Sequence, residues 1–263
     1  MVPYDVYMPH QLLRACSPGA MLTSFQRTGM MLLEDMLLPR LIERALAIRS
    51  HLADDELRSL LPRYNSGTGV GYVSPSRDGL IRTGPLNSRR AFDYRPSRLL
   101  EQEELGRALR PLYNHLALFG ESVLEMLNPY FEWPLAEVRG GEHVLKAAFA
   151  LNGEADPERE VFPAHQDFSM LTLFVGGALP GLQVLYKGTW IDVVLKPHEV
   201  LVGAGSFLKR FCSVTTLQHR VMASVPHRFS FSFFVELPGS TLLPNGETFT
   251  AAVQRVRALA LGE

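Results

Sequence analysis

The sequence predicts an α+β protein with a mainly β core, and three observations carry that reading. Apolar residues recur at helical spacing up to about residue 140, short β-like runs crowd residues 141–240, and helical spacing returns in 241–263. The helices and strands are therefore segregated along the chain, where a parallel α/β sheet would interleave them. No internal repeat, low-complexity tract or Gly/Ser/Pro linker interrupts the chain, so residues 1–263 are expected to form a single domain.

In chain order, Met30–Leu33 is a short apolar run between Gly29 and Glu34 and reads as a strand. Leu38, Leu41, Ile42, Ala45, Ile48 and Leu52 make one helical stripe, with Arg40, Glu43, Arg44 and Arg49 on other faces. The region from Tyr64 to Arg98 lacks a period, is rich in Gly, Ser, Pro and Arg, and is expected to be irregular. Leu105, Leu109, Leu112, Leu116, Phe119, Val123 and Leu127 form a longer stripe, in which Pro111 should kink or divide the helix for want of an amide hydrogen.

Strand candidates then follow at 144–151, 170–175, 182–186, 189–194, 199–202, 217–222 and 229–237, most of them separated by Gly, Pro, Asn or Asp. Tyr186-Lys187-Gly188-Thr189 has the form of a tight hairpin turn. Many short strands in this interval favour an antiparallel sandwich or barrel. Phe249, Ala252, Val253, Val256 and Leu259 share one face of a closing helix.

Composition narrows the functional classes. Twenty-six Lys and Arg against 27 Asp and Glu give a formal charge of −1, which argues against general attraction to nucleic acid or to an anionic membrane. No run of eighteen apolar residues is present, and residues 1–14 lack the apolar stretch of a signal peptide. Two Cys, Cys16 and Cys212, build neither a disulfide framework nor a cysteine metal site. A cytoplasmic protein without a membrane or nucleic-acid partner is expected, and the oligomeric state is open.

Most of the eight His have the bland reading of surface or satisfied core side chains. His165-Gln166-Asp167 differs, because residues i and i+2 of a strand project to one face and would aim an imidazole and a carboxylate at the same spot. Those are two-thirds of the 2-His-1-carboxylate set that holds non-haem Fe(II). The third ligand must come from another strand, and His219 in Leu217-Gln218-His219-Arg220-Val221 is preferred to the rival His227. Arg228 and Ser230 again share a face; a guanidinium fork and a hydroxyl there make an anion anchor. Phe229, Phe231 and Phe233 would point the other way.

The ordered set His165-Gln166-Asp167, Gly181-Leu182-Gln183-Val184, Trp190, His219-Arg220-Val221 and Arg228-Phe229-Ser230-Phe231 resembles the Fe(II)/2-oxoglutarate-dependent oxygenases. Within them it looks most like the isopenicillin N synthase branch. The resemblance is strong over residues 161–238; Gly29–Leu33 and Gly71-Tyr72 extend it weakly toward the N-terminus. It implies a double-stranded β-helix, or jelly roll, with N-terminal helices packed on it and a short C-terminal helix. It also implies Fe(II) on His165, Asp167 and His219, and 2-oxoglutarate on Arg228 and Ser230. The reaction implied consumes O₂, releases succinate and CO₂, and hydroxylates or desaturates a small metabolite such as an amino acid or natural-product intermediate.

Where the branch often carries Asn-x-Tyr, this chain has Ala148-Phe149-Ala150. Arg82, Arg89, Arg90, Arg95 and Arg98, opposed only by Asp93, either solvate a basic loop or grip an anionic substrate. Arg82, Arg89, Tyr72, Phe149 and Phe168 are the candidates for substrate contact. Two alternatives stand: an Fe(II) oxidase that uses O₂ without 2-oxoglutarate, and a non-catalytic jelly-roll binding protein.

Overall fold

The structure, a computed structural model of the 263-residue chain, describes residues 17–63, 71–73, 89–96, 103–150, 156–176, 180–223 and 228–261. Helix α1 (Pro18–Thr28) starts where Ser17 accepts the Ala20 amide at 3.3 Å and Pro18 occupies the first turn, whose amides need no helical partner. It ends at Gly29, φ 72°, whose amide returns to the Phe25 carbonyl. A Cβ on Gly29 would come within 2.5 Å of the Thr215 carbonyl, so both the left-handed turn and the close approach require glycine. The chain then enters β1 (Met30–Glu34).

The stripe from Leu38 to Leu52 divides into α2 (Leu38–Ala45) and α3 (Ala47–Ala53), with Leu38, Ile42, Ala45, Ile48 and Leu52 all buried. Helix α4 (Asp55–Ser59) follows, capped by the Asp54 carboxylate on the Glu56 and Leu57 amides. Residues expected to be irregular contain two strands, β2 (Gly71–Val73) and β3 (Arg89–Tyr94). The difference has a physical reason: Ala91, Phe92, Asp93 and Tyr94 are all buried, so no polar-apolar alternation marks β3.

Helix α5 (Glu103–Leu127) runs through Pro111 without dividing. Proline removes one hydrogen bond but none of the packing. Leu105 and Leu109 before it, and Leu112 and Leu116 after it, hold both halves against one core.

The remaining strands are β4 (Val144–Ala150), β5 (Asp156–His165), β6 (Leu171–Val175), β7 (Leu182–Tyr186), β8 (Thr189–Asp192), β9 (Glu199–Ala204), β10 (His219–Ala223) and β11 (Phe229–Val235), before α6 (Phe249–Leu261). Strand β5 is not among the expected ones because its sequence carries Pro157, Pro163 and a run of charges. It lies at a sheet edge and pairs only with β10, where a proline costs no ladder bond. Between β7 and β8, Lys187 at φ 48° and Gly188 at φ 79° make the two-residue hairpin turn.

Among the described residues the strands form two antiparallel sheets. The larger has the order β1-β9-β6-β11-β4-β3-β2 and the smaller β5-β10-β7-β8. Side chains of both meet between them: Met30, Phe174 and Leu201 against Leu182 and Val184, and Ala150 against Phe162 and Val221. Strands β4 to β11, divided between two facing sheets with successive strands in opposite sheets except at the β7–β8 hairpin, make the jelly roll. The outer face of the larger sheet is covered by helices. Phe229, Phe231 and Phe233 of β11 join Leu112, Leu116 and Leu124 of α5 in that core, and Gly120 lets α5 approach Val235 closely. The inner face of β11 carries Ser230, Ser232 and Phe234, with Arg228 just before the strand on the same side.

Candidate active site

Between the sheets lies a cavity of about 480 Å³. His165 is the last residue of β5 and His219 the first of β10, and the two are directly paired across the ladder. Asp167 lies beyond the end of β5, so the acid is delivered by the turn after the strand and not by a shared strand face. The result is the same convergence: His165 Nε2 lies 3.4 Å from Asp167 Oδ1, and His219 Nε2 3.5 Å from Asp167 Oδ2. One donor atom from each residue falls within 4.8 Å of the other two.

Hydrogen bonds fix how these groups present themselves. The Pro163 carbonyl can only accept, so its 2.8 Å contact with His165 Nδ1 requires the proton to be on that nitrogen. His165 Nε2 is then the lone-pair nitrogen, turned toward Asp167. The Thr172 hydroxyl donates to Asp167 Oδ2 at 2.7 Å and accepts from Ser169 at 3.0 Å. Burial alone would raise the Asp167 pKa, but the His219 and His165 rings beside it, when protonated, and the hydrogen bond from Thr172 outweigh it and hold the carboxyl well below its ordinary range. The rings of Phe162 and Phe174 stand edge-on to His165 and His219, at 4.5 and 4.9 Å between centroids. Two imidazoles, in the neutral form that ligates a metal, and an ionised carboxylate, spaced like neighbouring ligands of one ion, fit a divalent metal with open positions.

Arg228 and Ser230 occupy the inner face of β11 in the same cavity, and both are buried. Arg228 Nε donates to the Pro180 carbonyl at 3.1 Å and its Nη1 to Ser230 Oγ at 2.9 Å, which orients the guanidinium. On β11 the residue opposite Thr172 is Phe234, and Ser232, Ser230 and Arg228 step away from it along that face. Arg228 and Ser230 are therefore displaced along the strand direction from the level of the His/Asp cluster. Ala148 is directly paired with Ser230 on β4, so the wall beside the anchor is methyl where a polar side chain was the alternative.

The substrate-contact candidates divide. Phe168 lines the cavity. Phe149 does not: it pairs with Phe229 and lies in the core between the larger sheet and the helices, because its neighbours Ala148 and Ala150 take the inward positions. Tyr72 is half-buried against that same core, with the Arg58 guanidinium 5.8 Å above its ring. Arg89 pairs through its backbone with Ala150, while Arg82, Arg98 and the rival ligand His227 fall outside the described residues. Arg90 is used by Asp55 and the carbonyls of Leu52 and Ala53, and Arg95 by Glu236 and the Glu142 carbonyl.

Sequence reasoning missed Thr172, Phe174 and the Asp93–Lys146 ion pair, whose two side chains line the cavity 3.2 Å apart. A second His/carboxylate group, Glu34, His198 and Glu199, lies at the β1–β9 end; there Glu199 accepts the Lys196 amide.

Two imidazoles and a carboxylate brought together in a jelly roll, beside a buried arginine and serine, are the donor set of a non-haem Fe(II) site. Consistent with this, residues 141–237 match the 2OG-Fe(II) oxygenase superfamily, and the chain contains a domain of that superfamily. It is 28% identical over 135 residues to the mugineic-acid 3-dioxygenase of Hordeum vulgare, a match covering 49% of this chain and 40% of that protein. It is 31% identical over 94 residues to the leucoanthocyanidin dioxygenase of Petunia hybrida, covering 34% and 22%. The matches thus span well under two-thirds of these relatives.

Among solved structures, a full-length Neurospora crassa protein in complex with alpha-KG and thymine superposes with a TM-score of 0.72 at 18% identity, covering 92% of this chain and 91% of that one. The rice dioxygenase for auxin oxidation does so with a TM-score of 0.67 at 17% identity, covering 94% and 90%. These likenesses establish the shared fold. No helix among the described residues is long and apolar enough to cross a membrane.

Proposed function

We propose that this chain is an Fe(II)- and 2-oxoglutarate-dependent oxygenase that hydroxylates or desaturates a small metabolite, an amino acid or a natural-product intermediate. The observation that carries this reading is the placement of three metal-type donor atoms within 4.8 Å of one another in a cavity that also contains a buried, oriented Arg228–Ser230 anchor. His165, Asp167 and His219 would hold the metal. When bound with 2-oxoglutarate, it supplies the oxidation of a C–H bond by O₂, with succinate and CO₂ as coproducts.

The chain's own residues do the rest. Pro163 fixes the tautomer of His165, Thr172 orients Asp167, and Phe162 and Phe174 hold the imidazoles against rotation and keep water from their faces. Arg228 and Ser230 would bind the distal carboxylate of 2-oxoglutarate by charge-assisted hydrogen bonds. An intact carboxylate at position 167 also argues against halide chemistry, which needs that metal position open.

The names of similar proteins span mugineic acid, leucoanthocyanidin, thymine and auxin, so the comparisons favour a small molecule without choosing one. We place the whole chain in one domain, since β1 of the helical N-terminal part pairs with β9 of the core. Its balanced charge supports a cytoplasmic enzyme without nucleic-acid or membrane partners.

The test is anaerobic addition of Fe(II) and 2-oxoglutarate, followed by the weak visible absorption of their chelate. Absence of the band, with both present at millimolar concentration, overturns the reading, and binding of neither Fe(II) nor 2-oxoglutarate favours a binding protein. Substrate turnover without succinate would instead identify the oxidase that dispenses with 2-oxoglutarate.

A further inference from the structure

We propose that Asp93 and Lys146 form the substrate-recognition pair of this cavity. The substrate they select is an α-amino acid with an apolar side chain, its carboxylate held by Lys146 and its ammonium by Asp93. This rests on the oxygenase reading above and names the substrate class for the same site.

Strand register places the pair. Asp93 pairs with Lys146, Lys146 with Ser232, and Ser232 with Phe174, so one row of side chains crosses four neighbouring strands on the inner face of the larger sheet. At one end Phe174 stands against the His219 ring, 4.9 Å between centroids. The ion pair therefore occupies the same level of the cavity as the metal cluster, two and three strands to its side, and is separate from Arg228 and Ser230.

Stability gives little reason for the pair to be there. The Lys146 and Asp93 side chains are only 14% and 12% exposed. Taking two charges out of water costs several kcal/mol per ion, and apolar replacements of similar volume are often neutral or stabilising. The pair faces the cavity beside Ser232, and Val144, Phe234 and Phe168 supply apolar parts of the same wall, with Glu236 also on it.

The complement of that wall is specific. An ammonium and a carboxylate 3.2 Å apart present a donor beside an acceptor, both charged. A ligand with one charge would match one member and oppose the other. An adjacent carboxylate and ammonium match both, keep the cavity's net charge unchanged, and leave the apolar remainder to the apolar wall. A cavity of this volume, shared with 2-oxoglutarate, suits a small molecule.

The experiment uses the full chain with Fe(II) and 2-oxoglutarate under nitrogen. Calorimetry compares L-leucine, L-methionine and L-phenylalanine with 4-methylpentanoate and 3-phenylpropanoate, which lack the ammonium, and with isoamylamine and phenethylamine, which lack the carboxylate. At least one amino acid should bind about tenfold or more tightly than its matched acid and amine. Lys146→Met should reduce that amino acid to the affinity of its amine, Asp93→Asn to that of its acid, and Lys146→Arg should restore most of the loss.

The double variant Asp93→Asn/Lys146→Met carries no unpaired buried charge, so it keeps the test open if a single variant fails to fold. The inference is overturned if acids or amines bind as well as the amino acids, if none of the three amino acids binds, or if the variants bind them unchanged, which would make the pair a mere tie between β3 and β4. It is also overturned if Lys146→Met raises the requirement for 2-oxoglutarate, which would move Lys146 to the cosubstrate. Failure of the oxygenase reading looks different: the chelate band is then missing in the unaltered protein, while the calorimetric comparison still reads the pair.

Discussion

His165 and His219 face each other across the β5–β10 ladder with ring centroids 4.2 Å apart, and one carboxylate, Asp167, reaches both. Because the three donors come from two paired strand ends and one turn, losing any of them leaves two ligands and no facial set. His165→Ala, Asp167→Ala and His219→Ala should each abolish turnover and lower metal affinity by two orders of magnitude or more, about 3 kcal/mol. Titration with Mn(II), followed by its electron paramagnetic resonance signal, checks this. Full activity in Asp167→Ala would contradict the ligand assignment.

Thr172 acts through Asp167. Its hydroxyl donates to Oδ2 at 2.7 Å, and Thr172→Val removes that bond while keeping the shape of the side chain. Partners that orient a ligand typically contribute about 10–100-fold in metal affinity or activity. The variant should bind Mn(II) more weakly in that range, and Thr172→Ser should recover most of it. A merely structural role would lower the melting temperature and leave the metal titration unmoved.

The convergence of His165, Asp167 and His219 is legible in the sequence because it rests on residue types and order, which survive without coordinates. Its detailed cause is not. The sequence spacing puts His165 and Asp167 on one strand face, whereas β5 ends at His165 and the turn supplies the acid. The strands without a sequence signal share a reason: β3 is buried on both faces and β5 is an edge rich in Pro and charge, so neither shows the period of two that sequence reading depends on. In the sequence Asp93 stands only as the counter-charge in a basic segment. Its position on the cavity wall follows from pairing with Lys146, a long-range fact that local pattern does not contain. Phe149 fails for the opposite reason, since inward and outward positions on β4 differ by one residue.

Arg228 and Ser230 should separate cosubstrate binding from chemistry. Arg228→Ala should raise the KM for 2-oxoglutarate by about 100-fold and Ser230→Ala by about tenfold, from the loss of charge-assisted bonds. Metal affinity should hold in both. Arg228→Lys should recover charge but not the paired contacts to Pro180 and Ser230, and should fall between. Steady-state succinate formation against 2-oxoglutarate concentration gives the values.

Phe233 tests the other face of the same strand. It is fully buried, edge-on to Tyr113 at 5.3 Å and tilted to His143 at 5.6 Å, on the helix side of the larger sheet. Phe233→Ala should cost about 3–5 kcal/mol of stability through lost burial and the cavity left behind. Urea unfolding measures it. Fe(II) and 2-oxoglutarate binding by the folded fraction should remain, since Ser230 and Ser232 of β11 face the opposite side from Phe233.

Glu121 on α5 gives the pH-dependent case. Its Oε1 receives the His143 Nε2–H at 3.1 Å and the Gly140 amide at 2.7 Å, while His143 Nδ1 accepts the Glu236 amide at 3.0 Å. The His143 bond, helped by the Gly140 amide and opposed by burial, holds the Glu121 carboxyl below its ordinary 4.5. A folded-state value lower than the unfolded one means that the unfolded chain binds the extra proton. The stabilisation is therefore complete above about pH 4.5 and is lost as pH falls through the depressed folded value. Glu121→Gln keeps an acceptor but not its charge, and should cost about 1–2 kcal/mol at pH 7. Denaturant melts of both proteins from about pH 7 down to about pH 3.5 should show that difference narrowing only below about 4.5. A gap that stayed constant over the whole range would mean that the ionised carboxylate contributes nothing to the link between α5 and the end of β11.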